Sequence, residues 1–162
     1  MEDNKKLIAD FLAQKNIAVA GISLSRETPA NMIFKKMKKA GYTVFAVNPK
    51  GGTYDEHPCY TGLGSIDPRP DGVVIVTRPE VTANLIDECI HLGITRVWIH
   101  NMMGIVKNGK PGSASSVDTA AVQKGREAGL TIISGSCPMQ FVPPVDIFHR
   151  CIRWVSGKTG KL

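Results

Sequence analysis

A doubly wound α/β fold, with a five-stranded parallel sheet and flanking helices in a single domain, is predicted by two observations in the sequence. The first is an echo that occurs three times, as Lys39-Ala40-Gly41-Tyr42-Thr43-Val44, His91-Leu92-Gly93-Ile94-Thr95-Arg96-Val97 and Glu127-Ala128-Gly129-Leu130-Thr131-Ile132. Each copy reads as a helix end, a glycine suited to the left-handed position past that end, and a β-rich run. The second is Ile17-Ala18-Val19-Ala20-Gly21-Ile22-Ser23, a short apolar run that ends in glycine. A run of that kind reads as a strand buried on both faces and feeding a helix. Strands joined by crossover helices lie parallel, which sets the fold class.

The elements follow in order. Lys5 to Gln14 places Leu7, Ile8, Phe11 and Leu12 on one helical face, and the first strand is Ile17 to Ile22. Met32, Ile33, Met37 and Ala40 recur at helical spacing before the strand Thr43 to Val47. Gly51 to Pro70, rich in Gly, Pro and Asp, reads as loop, followed by the strand Gly72 to Thr77. Val81, Leu85, Ile86, Cys89 and Ile90 mark the next helix, leading to the strand Thr95 to His100. Met103 to Ser116 reads as a second long loop, with Ser116 as the cap of a weaker helix through Ala120, Ala121 and Val122. The fifth strand is Leu130 to Ser134, and Asp146 to Val155 is expected to close the chain as a helix through Ile147, Phe148, Cys151, Ile152 and Val155.

Composition bounds the function. A chain of 162 residues with 43% hydrophobic content fits one domain and buries a core without staples. The net charge of +6 suits an anionic ligand, but the lysines are spread over helix faces and form no stripe, and three Tyr and two Trp supply no stacking platform. Nucleic acid is therefore not the expected partner. No apolar run approaches the ~18 residues of a membrane span, and Met1-Glu2-Asp3-Asn4-Lys5 is no signal peptide, so a soluble, cytoplasmic protein with no membrane partner is expected. The four cysteines are expected to be reduced thiols. His57-Pro58-Cys59 and His149-Arg150-Cys151 lack the paired spacing of a zinc site, so no metal is expected.

In a doubly wound sheet the ligand sits beyond the carboxyl ends of the strands, where the winding reverses. That rule collects Gly21 to Thr28, Asn48 to Gly51, Thr77-Arg78-Pro79, His100-Asn101 and Gly135 to Cys137. A glycine turn opening onto a helix N-terminus favours phosphate. The second strand decides which phosphate compound. Dinucleotide folds that hold NAD carry an acidic residue there, roughly 20 residues past the glycine motif, for the ribose hydroxyl. Here the place holds Asn48-Pro49-Lys50. A cation in that position favours a ribose with an extra phosphate, as in coenzyme A or NADP. A branched side chain at Gly21 is expected to block the phosphate more than it harms the fold.

With these residues placed, the chain resembles the stand-alone CoA-binding domain family, small Rossmann-like proteins akin to the CoA-binding domain of the succinyl-CoA synthetase α subunit. The carriers are Gly21-Ile22-Ser23, Gly41-Tyr42 through Val47-Asn48-Pro49-Lys50, Pro70-Asp71-Gly72-Val73-Val74-Ile75 with Arg78-Pro79-Glu80, and Gly93-Ile94 leading to Val97-Trp98-Ile99. The resemblance runs over nearly the whole chain. It implies that Gly21, Ile22, Ser23 and Ser25 receive the pyrophosphate, that Asn48, Pro49 and Lys50 border the 3′-phosphate, and that Thr77, Arg78 and Pro79 line the adenine and pantetheine side. His100 and Asn101 stand at the pocket mouth, and Cys137, among small residues, is placed to meet the pantetheine end. It further implies that the synthetases' phosphorylated histidine lies outside this domain, so ligase activity is not expected from this chain alone.

The expected function is thus a small binding or regulatory module for coenzyme A or an acyl-CoA. The alternative is an NADP-dependent oxidoreductase, although the first turn has one glycine where the dinucleotide fingerprint has three. No catalytic constellation is present, since no Gly-x-Ser-x-Gly elbow follows a strand. The acyl group, a protein partner and a homo-oligomer are left open.

Overall fold

A computed structural model describes residues 2–101, 106–107, 110–111, 115–145, 147, 149–151 and 154. The helix α1 (Glu2–Leu12) precedes β1 (Asn16–Ala20), α2 (Pro29–Lys39) and β2 (Thr43–Val47). Two short strands follow, β3 (Thr53–Tyr54) and β4 (His57–Tyr60), before β5 (Gly72–Ile75), α3 (Pro79–Leu92) and β6 (Arg96–His100). A two-residue pair, β7 (Val106–Lys107) with β8 (Lys110–Pro111), leads to α4 (Thr119–Glu127) and β9 (Thr131–Ser136).

The main sheet has seven strands in the order β3-β4-β2-β1-β5-β6-β9. Six are parallel to their neighbours, and β3 alone is antiparallel, as a hairpin with β4. The winding reverses at β1, which pairs with β2 on one side and β5 on the other. The expected count of five strands is corrected to seven, because the segment read as loop from Gly51 to Pro70 contains β3 and β4. Its glycines and Pro58 gave it the composition of a loop. What holds β4 is pairing with β2, Ala46 to Cys59 and Val47 to Tyr60. A proline is tolerated at such a sheet margin.

Alternation along the strands splits the core into two layers. Ala18, Val73, Val97 and Ile132 pack beneath Leu85, Ile86 and Cys89 of α3 and Ala121 and Val122 of α4. Ile17, Val19, Val74, Trp98 and Ile133 point to the other face, against Ile8 and Phe11 of α1 and Ile33, Phe34 and Met37 of α2. Trp98 is fully buried there, edge-on to Phe11 at a ring separation of 5.4 Å. All three repeated joints close on a glycine with positive φ, at Gly41, Gly93 and Gly129.

Other boundaries move. The first helix begins at Glu2 and ends at Leu12, and β9 runs to Ser136. The cap of α4 is Asp118, which accepts from the Ala121 N–H at 2.8 Å, and not Ser116. Ser116 is instead buried, with its N–H donating to the His100 carbonyl at 2.9 Å. Of the expected C-terminal helix, Ile147, His149, Arg150, Cys151 and Trp154 are helical, and Phe148, Ile152 and Val155 lie outside the described residues. The segment 103–116 contributes β7 and β8, and its remaining stretch 103–105, 108–109 and 112–114 lies outside the described residues.

Candidate functional site

The carboxyl ends of β2, β1 and β5 lie side by side, so the loops that leave them form one edge. The β1–α2 turn starts at Gly21, whose φ is +103°. A Cβ there would stand 2.1 Å from the Val76 carbonyl oxygen. This glycine is therefore required by the close approach of the β1 turn to the end of β5, so the branched residue expected to block the phosphate more than it harms the fold also meets a clash within the fold itself. The Gly21 and Ile22 N–H groups both donate to the Val47 carbonyl, at 3.2 and 3.3 Å, which closes the turn against β2.

Two asparagines hold this edge. Asn31, fully buried in the first turn of α2, donates to the Ser23 carbonyl at 2.8 Å and accepts from the Ser23 N–H at 3.1 Å and from the Thr28 hydroxyl. The Ser23 hydroxyl in turn accepts from the N–H groups of Ser25 and Arg26. Asn48 donates from Nδ2 to the Ile22 carbonyl at 2.7 Å and accepts from the Lys50 N–H at 2.8 Å. Both ends of its side chain are engaged by the protein, so Asn48 links the β1 and β2 loops and sets the backbone of Pro49-Lys50. Ser25, Pro49 and Lys50 are exposed on this edge.

On the other side of β1, the Thr77 hydroxyl pairs with that of buried Thr82 at 3.0 Å, and Thr82 donates to the Ser116 carbonyl at 2.8 Å. Arg78 is the N-cap residue of α3 but makes no side-chain capping bond, and Pro79 takes the first helical position. Arg26, Lys50 and Arg78 are exposed, and among the described residues none has a carboxylate partner. The contrast is with the helix surfaces, where Lys35 pairs with Glu27, Lys38 with Asp55 and Lys124 with Asp87. The N-termini of α2 and α3 open onto the same edge, and α2 carries no acidic residue in its first turn. Cations and positive dipole ends at one edge favour an anion there, although α3 carries Glu80 in its first turn.

The structure brings a second group to the ends of β6 and β9. His100, Asn101, Ser116, Ser136 and Cys137 are all buried. Pairing between these strands shifts after Ile99 to Ser134, so that His100 pairs with Ser136 and Gly135 is passed over. Gly135 has a φ of +96°, a conformation that lets the strand bulge there. His100 is 3% exposed, and burial holds its imidazole neutral, with the pKa pushed down to about 4. Cys137, a thiol outside any disulfide, is 2% exposed and immediately precedes the turn Pro138–Gln140.

Sequence reasoning took Arg26 only as part of the span Gly21 to Thr28 without singling it out, and it missed Asn31. Arg26 was legible as a cation inside the post-strand turn. Asn31, in a helical run, gives no signal until the turn folds back over it.

A family model described as a CoA binding domain matches residues 15–142. An ADP-forming acetate–CoA ligase from Archaeoglobus fulgidus is 32% identical over 75 residues, 46% of this chain and 11% of the ligase. The matched part is thus a small fraction of that relative. Among solved structures, a hypothetical protein from Pyrococcus horikoshii OT3 superposes with a TM-score of 0.69 at 27% identity, over 86% of this chain and 87% of that one. The apo dinucleotide-forming acetyl-coenzyme A synthetase 1 of Ca. Korarchaeum cryptofilum gives a TM-score of 0.57 at 18% identity, over 72% of this chain and 25% of that one. At that identity it shows the fold alone.

Proposed function

The chain belongs to the CoA-binding domain family, whose ligand is coenzyme A, and on that premise we propose that it works as a binding or regulatory module for CoA or an acyl-CoA. The observation that carries the reading is the set of cations Arg26, Lys50 and Arg78, without carboxylate partners among the described residues, on the loops after three adjacent strands. In this reading the pyrophosphate lies over the Gly21-Ile22-Ser23-Leu24-Ser25 turn, drawn by Arg26 and the α2 N-terminus. The 3′-phosphate lies by Pro49 and Lys50, and Thr77, Arg78 and Pro79 flank the arm that leads toward His100, Asn101 and Cys137. Asn48 acts by holding Lys50 in place.

The curated relative is a CoA ligase, not an oxidoreductase, so the reading with NADP is set aside. Among the described residues no helix is long and apolar enough to cross a membrane.

Calorimetry with CoA and dephospho-CoA tests the placement of the 3′-phosphate. A charge-assisted contact of about 1.5 to 3 kcal/mol corresponds to a loss of roughly tenfold or more for dephospho-CoA. The same loss is expected for CoA on Lys50→Ala, with no further difference between the two ligands in that variant. Equal affinities in the parent protein would remove Lys50 from the site.

A further inference from the structure

His100 has the burial of a core residue and the chemistry of a ligand contact. It ends β6, and since residues two apart on a strand share a face, it lies on the face of Trp98, the side covered by α1 and α2. The β1–α2 loop crosses to that same side. Only β5 separates β6 from β1, which puts the end of β6 two strand spacings, about 10 Å, from the Gly21 turn. An extended pantetheine arm spans that separation.

Among the described residues, none forms a hydrogen bond with the ring. A neutral imidazole carries one N–H donor and one acceptor. Among the described residues, the groups bonded to its backbone or beside it in the chain are Asn101, Ser116 and Ser136, followed by Cys137, none a carboxylate or an ammonium. Uncharged polar groups of this kind suit a carbonyl better than a second charge.

We propose that the His100 imidazole donates its N–H to the thioester carbonyl of the ligand, which makes uncharged acyl-CoA, and not free CoA, the preferred occupant of this site. A thiol sulfur is a weak acceptor, whereas a thioester carbonyl accepts well, so the two ligands differ at the atom that meets the ring. The inference rests on the CoA reading above and adds the class of acyl group.

Calorimetry of the full chain with CoA, acetyl-CoA and malonyl-CoA tests it. Acetyl-CoA is expected to bind roughly five- to tenfold tighter than CoA, the yield of one neutral hydrogen bond. Malonyl-CoA, with its extra carboxylate, is expected to gain nothing over CoA. In His100→Phe the acetyl preference disappears, while Lys50→Ala lowers the affinities for CoA and acetyl-CoA alike. If melting shows that His100→Phe does not fold, His100→Asn, whose short side chain withdraws the donor, replaces it. Equal affinities for CoA and acetyl-CoA in the parent, or a preference that survives loss of the imidazole, overturns the role of His100. Malonyl-CoA binding as tightly as acetyl-CoA overturns the uncharged class. Failure of the parent to bind either CoA or acetyl-CoA instead brings down the CoA reading itself, and the inference with it.

Discussion

Asn48 reaches from the end of β2 to the turn after β1, its Nδ2 donating to the Ile22 carbonyl at 2.7 Å while its Oδ1 accepts from the Lys50 N–H at 2.8 Å. One side chain thereby fixes the two loops proposed to hold the phosphates. Asn48→Asp keeps the acceptor for Lys50 but turns the other bond into a meeting of two oxygens. A loss of about 1 to 3 kcal/mol in unfolding free energy and a weaker affinity for CoA are expected. Denaturant unfolding and calorimetry on the same preparation check this, and an unchanged affinity for CoA would mean that the link does not position Lys50.

Gly21→Val acts on the fold first. A Cβ would stand 2.1 Å from the Val76 carbonyl oxygen, and the φ of +103° is one that branched residues rarely adopt. Strain and overpacking of about 1 to 3 kcal/mol each add at this position. The melting temperature should fall sharply, and a variant that melts like the parent would show that β1 and β5 separate at little expense.

Stability should depend on pH through His100. Its pKa is lowered from 6.5 to about 4 by burial, so the unfolded chain binds the proton more readily than the folded one between those values. The stabilisation is complete above about pH 6.5 and is lost as the pH falls toward 4, by about 3 kcal/mol in all. Urea unfolding of parent and His100→Phe at about pH 7 and about pH 4.5 reads the difference directly. A parent and variant with the same pH dependence would place the imidazole in contact with solvent.

The hairpin between β3 and β4 turns on Asp55 and Glu56, with φ of 50° and 65°. Two consecutive left-handed residues define the tight hairpin turn that favours glycine at its second position. Asp55 is engaged by Lys38 at 2.9 Å, so Glu56 is the residue to change. Glu56→Gly is expected to raise stability by about 0.5 to 1 kcal/mol, read from the denaturation midpoint. A lower midpoint would show that the Glu56 side chain contributes more than its backbone conformation takes away.

Much of this architecture was legible because buried parallel strands and crossover helices write strong local signals. Ile17 to Ala20, Thr43 to Val47 and Gly72 to Ile75 are apolar runs bounded by glycine or proline, and the joints at Gly41, Gly93 and Gly129 mark each return to the sheet. From those elements the rule of the carboxyl edge collects the loops of Gly21, Asn48, Arg78 and His100. The hairpin of β3 and β4 was hidden, because two- and four-residue strands beside Gly51-Gly52 and Pro58 have too little periodicity to register.

The sequence by itself determined the fold class, the order of strands along the chain and the carboxyl edge, since each depends on patterns within about 20 residues of chain. Only the tertiary structure decided which side chains at that edge are spent on the protein and which are free. Asn48 and Lys50 stand two residues apart and look alike as polar candidates, yet Asn48 is committed to Ile22 while Lys50 has no carboxylate partner among the described residues. His100 is a polar residue that the sheet buries, and nothing in its neighbours along the chain says so. Hydrogen bonding and desolvation depend on atoms brought together from distant strands, and that information exists only once the sheet has formed.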